Sequence, residues 1–139
     1  MVDVGVSELR RSRDRLAKRA EAAEQAGDGA AGGLLYFYAA ECGLKASLLR
    51  NVLQHQDTSG LPVNLRSHDL RRLAKALNLK DPGPGADPLR CRRHKGGAVV
   101  EGHQLHEAWR YGAELHAEDQ KAALEALKAL VKDAGRDFR

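Results

Sequence analysis

Cysteine is almost missing from this chain of 139 residues, and the two that occur, Cys42 and Cys91, stand in unlike settings. Cys42 lies in an apolar stretch and Cys91 among arginines, which argues against a designed disulfide and for a reducing compartment. A cytoplasmic location is the expectation. Long apolar runs are missing too, since none approaches the roughly 20 residues that a membrane-spanning helix needs. The opening "MVDVGVSELRRSRDRLAKRA" lacks the apolar centre of a secretory signal, so a soluble chain with no membrane partner is expected. Aromatics number six: Tyr36, Phe37, Tyr38, Trp109, Tyr111 and Phe138. The first three read as mostly core, which leaves too few rings for base-by-base reading of RNA. Proline occurs four times, with three copies between Lys80 and Gly97, so most of the chain is free of helix breakers.

What is present is charge at helical spacing. The net charge is +4 and the isoelectric point near 9.3, a modest bias toward polyanionic partners. Residues 6–25 place Leu9, Arg13, Leu16 and Ala20 on one face and predict a first helix. "GDGAAGG" from Gly27 to Gly33 holds four glycines in seven residues and reads as a flexible turn. "LLYFYAAECGLKASLLR" then runs apolar on nearly every side, the mark of a central helix surrounded by others. A third helix is expected from "SHDLRRLAKALNL", with Ser67 as its cap and Asp69 in its first turn. Residues 80–99 form a long basic loop rich in proline and glycine. Residues 100–111 read as helical up to a stop at Gly112, and 117–134 as a last helix with Ala123, Leu124, Leu127, Leu130 and Val131 in line. Nothing reads as a strand. The fold class is all-α, a single domain over residues 1–139 built as an up-and-down bundle of four to five helices.

Glu41 and Lys45 interrupt the apolar stretch four residues apart, acid first, the orientation favoured for a helical ion pair. Together with "YFYAAECGLKASLL", "SHDLRRLAKAL" and "LHEAWRYGAEL" in that order, followed by a helix rich in alanine and leucine, they carry a resemblance: the chain is similar to the HEPN domain family over roughly residues 9–131. Glu41, Lys45, His68, Trp109 and Tyr111 fall in these motifs. The resemblance implies a helical bundle, homodimerisation, and a place in RNA-targeting toxin–antitoxin or antiphage defence systems. It implies either a metal-independent endoribonuclease, or a silent interaction module that binds a nucleotidyltransferase, another defence protein or a nucleotide. No cofactor is expected.

Catalytic members of that family use an arginine followed four to six residues later by a histidine. The chemistry is sound in itself: attack by a ribose 2′-hydroxyl on the neighbouring phosphorus needs a proton carrier near neutral pH and a fixed cation for the phosphoryl oxygens. Two pairs qualify. "RYGAELH" offers Arg110 and His116, with Gly112 to break the helix between them. "RNVLQH" offers the alternative Arg50 and His55, five positions apart and so about 140° apart on an unbroken helix. A backbone-binding patch for RNA is expected from Arg90, Arg92, Arg93 and Lys95, joined by Arg71 and Arg72 of the third helix. The remaining constellation is Cys91, His94, His103 and His106, a weak candidate for zinc because arginines crowd its first half.

Overall fold

The computed structural model describes residues 2–77 and 88–136. Residues 80–87 of the expected loop, and Phe138, lie outside the described residues. The described residues are mostly helical, with five α-helices and one small sheet among them: α1 (Val6–Gln25), α2 (Gly29–Ser47), α3 (Leu70–Ala76), β1 (Cys91–Arg92), β2 (Val99–Val100), α4 (Leu105–Arg110) and α5 (Ala117–Arg136).

Helix α1 spans the residues its periodicity marks and turns Leu9, Arg13 and Ala20 inward. The glycine-rich segment after it does not act as a flexible breaker throughout. Only Gly27 takes a positive φ, at 86°, to turn the chain. Asp28 then caps α2 by accepting from the Ala31 amide at 3.0 Å, and Gly32 and Gly33 are buried inside that helix. Their missing side chains serve close approach. A Cβ at Gly32 would stand 3.3 Å from the Ala20 carbonyl oxygen, and one at Gly33 would stand 2.6 Å from the Trp109 ring. Asp28→Ala should cost about 1 kcal/mol by leaving first-turn amides of α2 without an acceptor, read as a lower urea midpoint at unchanged slope.

Helix α2 is the hub, as its all-round apolar character predicts: Phe37, Ala39, Ala40, Leu44 and Ala46 are fully buried. The contacts of its glycines fix the directions of its neighbours. Gly32 meets Ala20 and Glu24 whereas Gly43 meets Arg13, so α1 runs antiparallel to it. Gly29 meets Gln120 and Leu124 whereas Gly43 meets Ala134, so α5 runs parallel. Helix α5 inserts Ala123, Leu124 and Leu127 into the core, with Leu130 and Val131 half-buried beside it. Three long helices therefore make the bundle, and α3 and α4, at seven and six residues, only close its flank.

Local differences from the sequence reading have physical causes. The central helix does not continue evenly to Leu53: residues 48–53 widen into a π-helix that ends at Gln54 in the left-handed region. Asp69, not Ser67, caps α3 by accepting from the Arg72 amide, while Ser67 Oγ accepts from the Asp69 amide. The segment expected to be a helix from residue 100 begins instead as a strand at Val99–Val100 and a 3₁₀ turn before α4. Before α1, the chain pairs with the stretch after the π-helix, Val6 N–H donating to the Gln56 carbonyl at 3.0 Å and Thr58 N–H to that of Val4 at 3.0 Å.

Candidate functional site

The basic segment is not an irregular loop throughout. Strands β1 and β2 pair antiparallel, Cys91 opposite Val100 and Arg92 opposite Val99, through a turn in which Gly96 and Gly97 take positive φ. "KGG" followed by "AVV" is the signal for this hairpin, two glycines that supply the left-handed turn and then β-branched residues. The other edge of β1 binds the chain just before α5. Arg93 bridges Leu115, His94 N–H donates to the Glu114 carbonyl at 3.0 Å, and His116 N–H to that of Arg92 at 2.8 Å.

This pairing brings together residues 24 positions apart. Arg92 Nη2 stands 3.5 Å from His116 Nδ1. Asp119, in the first turn of α5, fixes the arginine: its Oδ2 accepts from both the Arg92 amide and Nε at 2.9 Å, and its Oδ1 from Nη2 at 3.3 Å. Those bonds hold the Asp119 carboxyl down at about 2, so the clamp stays charged at any working pH. His116 Nδ1 also lies 3.9 Å from Asp119 Oδ1. Beside this cluster Arg93, His94 and Lys95 line a depression of about 310 Å³ with Gly112 and Glu114. Arg92 and His116 thus meet on the strand that continues directly into the cations of this depression.

Arg110 takes a different course. It ends α4 and lays its guanidinium over the Tyr111 ring, 5.1 Å from the centroid, and Tyr111 is 78% exposed. Gly112, at φ +80°, turns the chain away as the sequence indicates. His116 is engaged by Arg92 and Asp119, and Arg110 by Tyr111, so the two halves of that pair are not joined by any contact described here.

The alternative pair lies elsewhere. Arg50 and His55 line one groove of about 670 Å³ with Arg11, Glu8, Gln54 and Gln56. The π-helix and the left-handed Gln54 make this possible, because the break comes before His55 and not after it. His55 N–H reaches back to the Leu49 carbonyl at 2.9 Å, and its ring lies on Gly60.

The other sequence-predicted residues are dispersed. Arg90 is paired with Glu101 at 3.2 Å. Arg71 borders a small groove with Leu89 and with Glu101, the carboxylate that pairs with Arg90, and Arg72 lines a different one with His68 and His106. Cys91 is buried with Sγ directed at the Asp119 carbonyl, and His106 is buried against Phe37. Among the described residues no group of three or more His, Cys, Asp or Glu is placed to hold a metal ion, so Cys91, His94, His103 and His106 do not assemble. Glu41 and Lys45 do pair, at 3.0 Å and each 13% exposed, and Glu41 also meets His68 at 2.6 Å. Trp109 is core, its indole N–H donating to Gln120 at 2.9 Å.

Asp119 is the residue that reading the sequence misses, since an acid in a helix's first turn announces only a favourable dipole. No helix among the described residues is long and apolar enough to cross a membrane. No family model, curated protein or solved structure matches this chain.

Proposed function

We propose that this chain is an HEPN-like, RNA-associated domain that cleaves RNA without a metal, and that it works as a homodimer within a toxin–antitoxin or antiphage defence system. The observation that carries the reading is the approach of Arg92 to His116 at 3.5 Å, next along the strand to the depression that Arg93, His94 and Lys95 line. A ribonuclease of this kind needs a proton carrier and an immobile cation, and Arg92 is immobile because Asp119 binds it three times. In this reading Arg92 takes the role that spacing alone gives to Arg110. The 2′-oxygen attacks phosphorus and loses its proton to a base, the 5′-oxygen leaves with a proton, and the product carries a cyclic phosphate. His116 handles one of these protons, and Arg93 and Lys95 hold the flanking backbone without reading bases.

A second reading is favoured by Arg110, which stacks on Tyr111 and leaves the Arg110 and His116 motif unassembled. The domain is then a silent module that docks a nucleotidyltransferase or another defence protein, or holds a nucleotide. Incubation of the purified chain with total RNA in EDTA separates the two. Cleavage that falls about 10²- to 10⁴-fold in His116→Ala, and comparably in Arg92→Ala, supports the hairpin site. Cleavage unchanged in both moves the site to Arg50 and His55, and no cleavage by the parent leaves the silent module.

A further inference from the structure

Glu41, Lys45 and His68, which the hairpin site does not use, join His106 and Phe37 in a chain of their own. Glu41 of α2 receives Lys45 Nζ on one oxygen at 3.0 Å and His68 Nδ1 on the other at 2.6 Å. The His68 ring packs at a tilt of 44° against that of His106 of α4, centroids 4.6 Å apart, and His106 packs in turn against Phe37 at 5.0 Å. His106 is 2% exposed and its Nδ1 has no hydrogen-bond partner. A buried ring nitrogen without a partner is rare and costly, and it calls for a reason.

The position of these rings supplies one. His68 immediately precedes the cap residue of α3, His106 lies in the first turn of α4, and Glu41 belongs to the hub helix, so one column of side chains joins three elements. Short helices have little hold of their own, since seven residues cannot sustain an isolated helix. We propose that the column Glu41, His68 and His106 is a proton-operated latch, which holds the entry of α3 against α2 and α4 while His106 is neutral and releases it when both imidazoles are charged.

The charges around His106 set the direction. Helix α2 offers Glu41, already shared between Lys45 and His68. The stretch before α3 offers His68, and α4 itself offers Glu107, whose Oε1 is 3.9 Å from Nε2, and Arg110. Asp69, Arg72 and His103 line the groove beside it. A proton on His106 meets the His68 ring across 4.6 Å and burial on every side. Burial first and His68 second hold His106 below the ordinary histidine range. Sign follows directly: the unfolded or released segment binds that proton first, so the closed latch is fully stable above about pH 6.5 and loses stability as pH falls. Opening would move Arg71 and Arg72, which ride on α3.

The test is residue-resolved. Imidazole NMR follows His68 and His106 separately, and amide hydrogen exchange is read from pH 7.5 to 5. The expected result is that exchange across residues 66–76 and 105–110 rises at least tenfold beyond its intrinsic pH dependence as His106 takes up its proton, with α2 unchanged. His106→Phe keeps the packing against Phe37 but has no proton to gain, and should retain pH 7.5 protection and lose the acid response. Should that variant fold poorly, His68→Gln removes the second charge, so His106 should take up its proton at higher pH and the rise in exchange should shrink. Protonation of His106 without a rise in exchange, or an acid response in His68→Gln at the parent's midpoint, overturns the latch. The outcome is independent of RNA cleavage.

Discussion

Replacing Trp109 by alanine is expected to lower the melting temperature by about 10 °C or more, because a core aromatic costs about 3–5 kcal/mol to truncate and a domain of this size moves roughly 3 °C per kcal/mol. Trp109 is 5% exposed and sits flat against the one place on α2 where Gly33 leaves room. Its indole N–H ties α4 to Gln120 of α5, so its removal also leaves that amide without its partner. The contact with Gly33 makes the prediction specific. Gly33→Ala alone should cost about 1–3 kcal/mol, since its new methyl would stand 2.6 Å from a ring that is held from behind. In a Trp109→Ala background the same methyl enters vacated space, and most of its cost should vanish. Chemical denaturation of the two single variants and the double variant reads this coupling, and simple additivity would contradict the packing described.

Glu41→Gln is the second large effect, expected to cost of order 2–4 kcal/mol, because it strips the counter-charge from Lys45, one turn along the hub helix and mostly buried, and breaks the bond to His68. Lys45 retains 13% exposure, which lets its ammonium reach toward water and keeps the cost below that of a sealed ion. The instructive comparison is a Glu41→Leu and Lys45→Leu double variant. Replacing both partners removes the desolvation of both ions, so it should be more stable than Glu41→Gln in the same urea titration. A double variant worse than the single would mean that the pair contributes net attraction well beyond its desolvation cost.

The long helices were legible because burial along them follows one period. Leu9, Arg13 and Ala20 mark α1, and Ala123, Leu124 and Leu127 mark α5, and in both cases the structure buries those residues. Glycine was legible only in part. Gly27 and Gly112 turn the chain, but Gly32 and Gly33 sit in mid-helix for the sake of Ala20 and Trp109. Composition cannot separate a glycine needed for its φ from one needed for its size, because the second depends on a neighbour distant in sequence. The same limit governs the candidate site. His116 was visible as a histidine six places after an arginine, yet its contacts come from Arg92 and Asp119 through a hairpin whose strands are two residues long. Strands that short carry no periodicity, and only the two glycines of their turn betray them. The π-helix before Gln54 is hidden for another reason: "LLRNVLQH" suits an α-helix well, and the pull of the chain toward Val4 and Val6 decides its end.

Because α2 and α5 point the same way, the chain between them must travel back along the whole bundle before α5 can start. That return is roughly 28 Å for a helix of this length, a span that about nine extended residues could cover. The chain uses residues 48 to 116 for it. This surplus of path does two jobs: Leu48, Leu49, Leu70, Leu73, Leu105 and Trp109 on it help to fill the core, and the Arg50 and His55 groove, the cationic hairpin, His68 and the buried His106 lie on it as well. Substitutions that alter activity should therefore map mostly to this return path and to Asp119 at the start of α5, while the buried positions of the three long helices tolerate little beyond exchange of one apolar side chain for another of equal volume.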